Sequence, residues 1–234
     1  MNADISIVIP VYNEVDNIEP LGNSIINAMQ GQNYEVLYVD DGSTDGSTEK
    51  LKEWCTQHTN FRAIHFKKNA GQTAAMDAGF KHAVGKYVVT MDADLQNDPA
   101  DIPKLLEKLN TCDMVCGWRQ KRNDPWIKRI SSKVANSIRN KLSNEDIKDT
   151  GCSLKAYRRE CFSRIKLFNG MHRFLPTLFK MEGFSVTEVV VNHYPRKFGK
   201  SKYGVFNRAF RAFMDLLVVR WMKKRKLNYE VKNG

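Results

Sequence analysis

Short runs of β-branched and apolar residues alternate with stretches in which apolar positions recur every three or four residues, and the alternation fills the N-terminal part of the chain. Ile5 to Pro10 reads as a buried parallel strand ended by a proline, followed by a loop from Val11 to Glu14. Ile18, Leu21, Ile25 and Met29 then fall at helical spacing, with Asp16 expected as the N-cap. Glu35 to Val39 is a second strand that runs into Asp40-Asp41-Gly42-Ser43-Thr44-Asp45. Gly42 suits a tight turn, and Ser43, Thr44 or Asp45 offers a cap for a helix carrying Leu51 and Trp54. A third strand at Phe61–Phe66, an alanine-rich helix at Gly71–Ala83 and a fourth strand at Val88–Met91 complete a β-α-β-α-β-α-β series. The expected class is α/β, a Rossmann-like, doubly wound and mostly parallel sheet with right-handed crossovers.

The pattern continues less regularly. Asp98-Pro99 opens a helix with Ile102, Leu105, Leu106 and Leu109, and Asp113 to Gly117 reads as another strand. Pro125 opens a helix striped by Trp126, Ile130, Val134, Ile138 and Leu142. Strands are expected at Ser153–Tyr157 and Phe184–Val191. The last helix, Val205 to Met222, carries Phe206, Phe210, Phe213, Met214, Leu217, Val218, Trp221 and Met222, and Lys223-Lys224-Arg225-Lys226 follows it. This divides the chain into an α/β domain, 1–203, and an amphipathic segment with a basic tail, 204–234. Aromatic anchors beside cations suit a membrane interface; a helix packed on the core with a charged tail would read the same way.

At 234 residues, 42% hydrophobic and 27% charged, the chain is an ordinary globular one, but its net charge of +11 calls for an anionic partner. Nucleic acid, a phosphorylated substrate and an acidic membrane all qualify. No nucleic-acid-reading motif is visible and the basic residues gather near candidate phosphate sites, so nucleic acid is not expected. Five cysteines without paired spacing argue for a reduced, cytosolic protein rather than a disulfide framework. With no long apolar run, and a strand already starting at Ile5, the chain is expected on the cytoplasmic side. Neither a P-loop nor a dinucleotide fingerprint is present, which speaks against a kinase or a dehydrogenase.

Chemistry concentrates where strands end. Asp92-Ala93-Asp94-Leu95-Gln96 places two carboxylates just past a strand, where an open α/β sheet binds ligands. Paired carboxylates are costly unless a cation neutralises them, and hard oxygen ligands suit Mg²⁺ or Mn²⁺ completed by water and phosphates. A solvated acidic turn is the plainer alternative. Asn13-Glu14 and Asp40-Asp41 also follow strands, and three polar ends on one sheet edge point to a nucleotide site. Trp118-Arg119 and the basic positions Lys128, Arg129, Lys133, Arg139 and Lys141 suit phosphate or form a solvated face. Asp149-Thr150-Gly151 fits a buried turn, and His193 to Tyr203 reads as a mobile basic loop able to cover a diphosphate, or as a charged linker.

Ile9-Pro10-Val11-Tyr12-Asn13-Glu14, Val39-Asp40-Asp41-Gly42-Ser43 and Asp92-Ala93-Asp94-Leu95-Gln96 together resemble the family 2 glycosyltransferases of GT-A fold. The likeness is greater to the polyprenyl-phosphate group, of the dolichyl-phosphate mannose synthase type, and covers about residues 4 to 220. It implies inverting transfer of a sugar from a UDP- or GDP-sugar to a polyprenyl phosphate; a GT-A enzyme elongating a glycan is the alternative. By the match Pro10, Tyr12, Glu14, Asp40, Asp41, Asp92, Ala93 and Asp94 bind the nucleotide sugar, and Asp94 and Gln96 hold Mg²⁺ or Mn²⁺. Arg119, Arg129 and Ser132 take the acceptor phosphate. Arg196 and Lys202, in His193-Tyr194-Pro195-Arg196 and Gly199-Lys200-Ser201-Lys202-Tyr203, meet the donor phosphates. Asp92, Asp94, Arg119, Arg196 and Lys202 form the catalytic set. Many members of the group continue into transmembrane helices, so this chain is expected at the inner membrane face, peripherally or beside a separate membrane subunit, with room for a homo-oligomer.

Overall fold

The computed structural model describes residues 3–120, 147–196, 205–227 and 229, with the helical path alone for 205–212. Strands β1 (Ile5–Val11), β2 (Tyr34–Asp40), β3 (Phe61–His65), β4 (Tyr87–Thr90), β5 (Met114–Trp118), β6 (Lys155–Arg158) and β7 (Val186–Val190) form one sheet in the order β3-β2-β1-β4-β6-β5-β7. Helices α1 (Ile18–Ala28), α2 (Ser47–Gln57), α3 (Gln72–His82), α4 (Ile102–Lys108), α5 (Leu175–Met181) and α6 (Val205–Arg225) surround it.

Both faces of the sheet are covered, which is why β1 and β2 are nearly continuous apolar runs. Successive side chains alternate between faces. Ile5, Ile7 and Ile9 meet Ile18, Leu21 and Ile25 of α1, with Trp54 of α2 and Leu105 of α4 in the same cluster. Val8, Leu37 and Val88 face the other way onto Ala75 and Phe80 of α3 and Phe179 of α5. Gly79 allows α3 to lie directly on β1, because a Cβ there would stand 2.2 Å from Val8. Met171, Phe174 and Leu178 form a third cluster that seats α6 through Leu216 and Val219.

The expected β-α-β-α-β-α-β series is present, and β1, β2, β3 and β4 are mutually parallel. The strand expected at Ser153–Tyr157 forms as β6 and runs antiparallel to β4 and β5, a direction its composition does not reveal. β7 returns parallel to β5. The carboxyl ends of the parallel strands and the entry into β6 therefore share one edge. Two capping expectations change. Asp16 lies within the 3₁₀ turn Val15–Asn17 leading into α1 and makes no cap bond. For α2, Gly46 occupies the cap position at φ 94°, and Asp45 accepts from the Ser47 N–H at 3.0 Å, acting from one residue earlier. The helix expected from Pro125 lies outside the described residues. α5 and the 3₁₀ turns Arg159–Arg164 and Met171–Phe174 fall in a stretch whose periodicity predicts no element.

Candidate active site

The loop after β1 is held from the neighbouring β2 loop. Asn13, at φ 52°, donates its N–H to Ser43 Oγ at 2.9 Å and accepts the Thr44 N–H at 2.7 Å. Glu14 donates its N–H to Ser47 Oγ at 2.9 Å, and its carboxylate accepts from the Asn17 amide at 2.6 Å. Gly42 makes the return possible: at φ 70° its Cα passes so near the Lys68 carbonyl carbon that a Cβ would stand 2.6 Å from it.

Asp40 and Asp41 are both buried, and the chain itself supplies their partners. Asp40 accepts from the Ser43 N–H at 2.9 Å and the Thr48 hydroxyl at 2.5 Å, with His65 Nδ1 at 3.1 Å. Burial pushes its carboxyl up, but these bonds outweigh burial and hold it below the usual carboxylate range. Asp41 accepts from the Ala70 N–H at 2.6 Å, the Gly71 N–H at 2.9 Å and the Asn69 amide at 2.9 Å, tying the loop before α3 to the end of β2. Burial nonetheless raises its carboxyl, with Asp40 beside it adding in the same direction. These two acids shape the wall of the site.

The central loop leaves β4 at Thr90. Asp92 is half-buried, accepts from the Gln72 amide at 2.9 Å, and has its N–H on Ser153 Oγ at 3.2 Å. Ala93 is buried, and Leu95 turns the chain at φ 60°. That turn lets the Gln96 N–H reach Asp94 Oδ1 at 3.2 Å. Burial, then the Asp92 charge, pushes the Asp94 carboxyl up to about 6, against the pull of Arg196.

Arg196 arrives by backbone pairing. Asn97 and His193 form an antiparallel bridge, the Tyr194 N–H bonds the Gln96 carbonyl at 2.9 Å, and the Gln96 amide returns to the Tyr194 carbonyl at 3.3 Å. Two residues on, the guanidinium meets Asp94 at 2.7 Å and Glu14 at 3.4 Å. Carboxylates from the loops after the first and fourth strands thus converge on one guanidinium that follows the last strand.

Across the edge, Arg119 follows β5 and grips Asp149. Its Nε and terminal nitrogen donate at 2.7 and 3.0 Å to the two carboxylate oxygens, and its N–H adds a third bond at 3.2 Å. The Asp149 N–H in turn donates to Glu188 of β7 at 3.0 Å. Asp149 is therefore the group that aims Arg119. Between these clusters lies a cleft lined by Pro10, Gln72, Asp92, Thr150, Lys155 and His172 among others.

Of the residues the sequence points to, Pro10, Tyr12, Glu14, Asp40, Asp41, Asp92, Ala93, Asp94, Gln96, Arg119 and Arg196 stand at this edge. Arg129, Ser132 and Lys202 lie outside the described residues. Gln72, Ser153, Lys155, His172 and Arg173 were not indicated by motif or spacing; they reach the site through the α3 terminus, the reversed β6 and the turn at Met171–Phe174.

The solved structures that share this sheet order and edge are glycosyltransferases of GT-A fold. A mannosyltransferase from Pyrobaculum calidifontis, in complex with GDP-Man and Mn²⁺, superposes with TM-score 0.66 at 21% identity over 98% of this chain and 66% of its own. Glucosyl-3-phosphoglycerate synthase from Mycobacterium tuberculosis, in complex with Mn²⁺, UDP-Glc and phosphoglyceric acid, gives 0.73 at 18% identity over 94% of this chain and 80% of its own. Residues 6–166 match the model of glycosyl transferase family 2, and the chain belongs to that family. It is 36% identical over 233 residues to a dodecaprenyl-phosphate galacturonate synthase of Rhizobium johnstonii, a match spanning 96% of this chain and 69% of that protein. The chain thus spans about two thirds of the length of that relative and of the Pyrobaculum mannosyltransferase.

Proposed function

We propose that this chain transfers a sugar from a nucleoside-diphosphate sugar to a polyprenyl phosphate at a membrane surface, with inversion at the anomeric carbon. The observation that carries the reading is the convergence of Arg196, Asp94 and Glu14 beside Asp92. One basic side chain among three acids is the charge pattern of a site that takes a cation and a diphosphate together.

The donor set fits a hard divalent ion. Among the described residues no cluster of three or more His, Cys, Asp or Glu has metal-binding geometry. Mg²⁺, however, is commonly held by one or two protein carboxylates plus substrate phosphates. Asp94 and Gln96 would hold Mg²⁺ or Mn²⁺, with Asp92 supporting donor and ion. When bound, that ion supplies Lewis-acid compensation of charge on the departing diphosphate.

The chain's own residues supply positioning. Pro10, Tyr12, Glu14, Asp40 and Asp41 form the nucleoside side, the two aspartates by fixing the loops around it. Arg119, aimed by Asp149, would hold the acceptor phosphate, with Arg129 and Ser132 assigned beside it by sequence match. A phosphate oxygen attacks the anomeric carbon as the bond from that carbon to the diphosphate breaks. Arg196, released from Asp94, and Lys202 would compensate the leaving charge. No general base is required, because a phosphate monoester with a second pKa of about 6 is mostly ionised near neutrality. This agrees with Asp149, whose oxygens accept from Arg119.

The membrane part of the proposal rests on α6. Leu216 and Val219 pack onto the core, whereas Phe213, Met214, Leu217, Val218 and Trp221 are exposed, with Trp221 61% accessible. Five large apolar side chains on one face, followed by Lys223, Lys224, Arg225 and Lys226, match an anionic bilayer surface. No helix among the described residues is long and apolar enough to cross a membrane. In this reading 1–203 forms the catalytic unit and 204–234 the membrane-facing segment. Arg119→Ala tests the acceptor assignment. Transfer to polyprenyl phosphate should fall by about two orders of magnitude, as for a lost transition-state donor. Sustained transfer to a lipid phosphate, or robust wild-type transfer to a soluble glycan instead, would refute it.

A further inference from the structure

One hydroxyl closes the acidic loop at its base. β6 runs antiparallel to β4, with Thr90 opposite Lys155. Continuing that pairing past the end of β4 brings Ser153 opposite Asp92. The Ser153 carbonyl accepts from the Thr90 hydroxyl at 2.9 Å, which fixes its backbone against the strand. Its Oγ accepts from the Asp92 N–H at 3.2 Å and from the Asn97 side-chain amide at 2.7 Å. The loop therefore starts and ends on a single oxygen. Asn97 is buried, and its backbone forms the bridge to His193 from which the basic return begins.

The loop needs that outside hold. Leu95 stands at φ 60°, a left-handed conformation that a residue with a Cβ disfavours, and Asp92 to Asn97 includes no glycine. Such a conformation persists where its surroundings over-determine it. Within the loop the Gln96 N–H supports the turn by bonding Asp94 Oδ1 at 3.2 Å, which draws on the very carboxylate proposed for the ion. Asp94 and Gln96 flank Leu95, so the spacing of the two proposed ligands depends on the turn between them. A serine oxygen has two lone pairs to offer, and Asp92 and Asn97 use both. Loss of that oxygen would release two donors together, one of them on a buried side chain.

We infer that Ser153 is a positioning residue for the divalent-ion site: by holding Asp92 and Asn97 on one oxygen, it keeps the loop in the shape in which Asp94 and Gln96 share one ion. It acts through the loop rather than as a ligand. The inference rests on the ion assignment in the reading above, and not on the lipid acceptor.

Electron paramagnetic titration of Mn²⁺, alone and with UDP or GDP, reads the effect without turnover. Ser153→Ala should weaken Mn²⁺ binding about tenfold, the lower end of what a metal site loses with an outer partner. Ser153→Thr keeps the oxygen and should stay within about threefold of wild type. Asn97→Ala removes one clamp bond from the other side and should weaken binding in the same direction. The Ser153→Ala/Asn97→Ala double variant should lose clearly less than the product of the two single losses, because both changes open the same clamp. Thermal unfolding would confirm that each variant is folded. Mn²⁺ binding by Ser153→Ala within about twofold of wild type overturns the inference alone. So do single losses that multiply in the double variant, or a folded Ser153→Thr that loses as much as Ser153→Ala. A wild-type chain that binds no Mn²⁺, with or without UDP or GDP, removes the ion from the reading above and this inference with it.

Discussion

Removing Arg196 should have opposite effects on metal binding and on turnover. Its guanidinium lies 2.7 Å from Asp94 and 3.4 Å from Glu14, and the Asp94 side chain is almost wholly buried. Unit charges about 4 Å apart at an effective dielectric near 20 attract by about 4 kcal/mol. Arg196 is itself partly exposed, so about 1–2 kcal/mol is the reasonable share after screening. If Asp94 holds the divalent ion as proposed, Arg196 in the chain without donor would compete with that ion for the same carboxylate. Arg196→Met should therefore tighten Mn²⁺ binding about 5- to 30-fold, the equivalent of that energy. With donor bound the proposed role reverses, since the guanidinium would then stabilise the leaving diphosphate. Turnover should fall by about 10²–10³, as when a transition-state donor is lost. Electron paramagnetic titration of Mn²⁺ without donor and steady-state transfer with saturating donor read the two effects separately. Unchanged Mn²⁺ affinity together with turnover within about threefold of wild type would show that the ion pair has no part in the site.

Other consequences follow from the same geometry. Asp149→Asn should disturb the aim of Arg119 and lower kcat/KM for the lipid phosphate by about 10²-fold, the cost of a small misplacement. The donor KM should move far less, and an equal loss for both substrates would refute the assignment. Glu35 is buried against Arg62 at 2.6 Å, and also accepts from the Ser6 hydroxyl and the Val84 N–H. Burial pushes its carboxyl up, but these partners outweigh it and hold the pKa below its ordinary 4.5. Its stabilisation is therefore present above that value and is lost as pH falls through the lower folded pKa. Glu35→Gln should cost about 1–3 kcal/mol in urea unfolding at pH 7, with the gap to wild type narrowing at acid pH; a gap independent of pH would contradict this. On α6, the Lys223→Ser/Lys224→Ser double variant should weaken binding to phosphatidylserine vesicles by about 2 kcal/mol, near 1 per charge, with little effect on neutral vesicles. Equal binding to both vesicle types would count against a charged membrane contact.

The first half of the fold was legible because each element there obeys its own period. Ile5, Ile7 and Ile9 against Val8 distribute over two covered faces, and Ile18, Leu21 and Ile25 trace one helical stripe. The acidic loop was legible for the same reason, since Asp92 and Asp94 sit where a buried strand must end. The reversed β6 was not. Lys155 falls inside the expected strand Ser153–Tyr157 with nothing in its spacing to mark it, and pairing against β4 and β5 is what places it in the cleft wall. His172 and Arg173 lie in a short 3₁₀ turn with no periodicity to mark it. Composition also cannot separate a carboxylate that holds a ligand from one that holds a loop. Asp40 and Asp41 are read from sequence as nucleotide contacts, and in the fold their oxygens are committed to Thr48, His65 and the Ala70–Gly71 turn. Arg119 and Asp149 each carry a sequence signal, but their pairing across 30 residues is a product of the β5–β6 geometry.

The most direct test of the account is transfer of labelled sugar from a panel of UDP- and GDP-sugars to polyprenyl phosphate in detergent, with Mg²⁺ or Mn²⁺ and with chelator. The account predicts a lipid-linked product from a single donor that disappears when the metal is removed. Donor binding or slow donor hydrolysis with no labelled lipid, in the presence of metal and anionic membrane lipid, would contradict it.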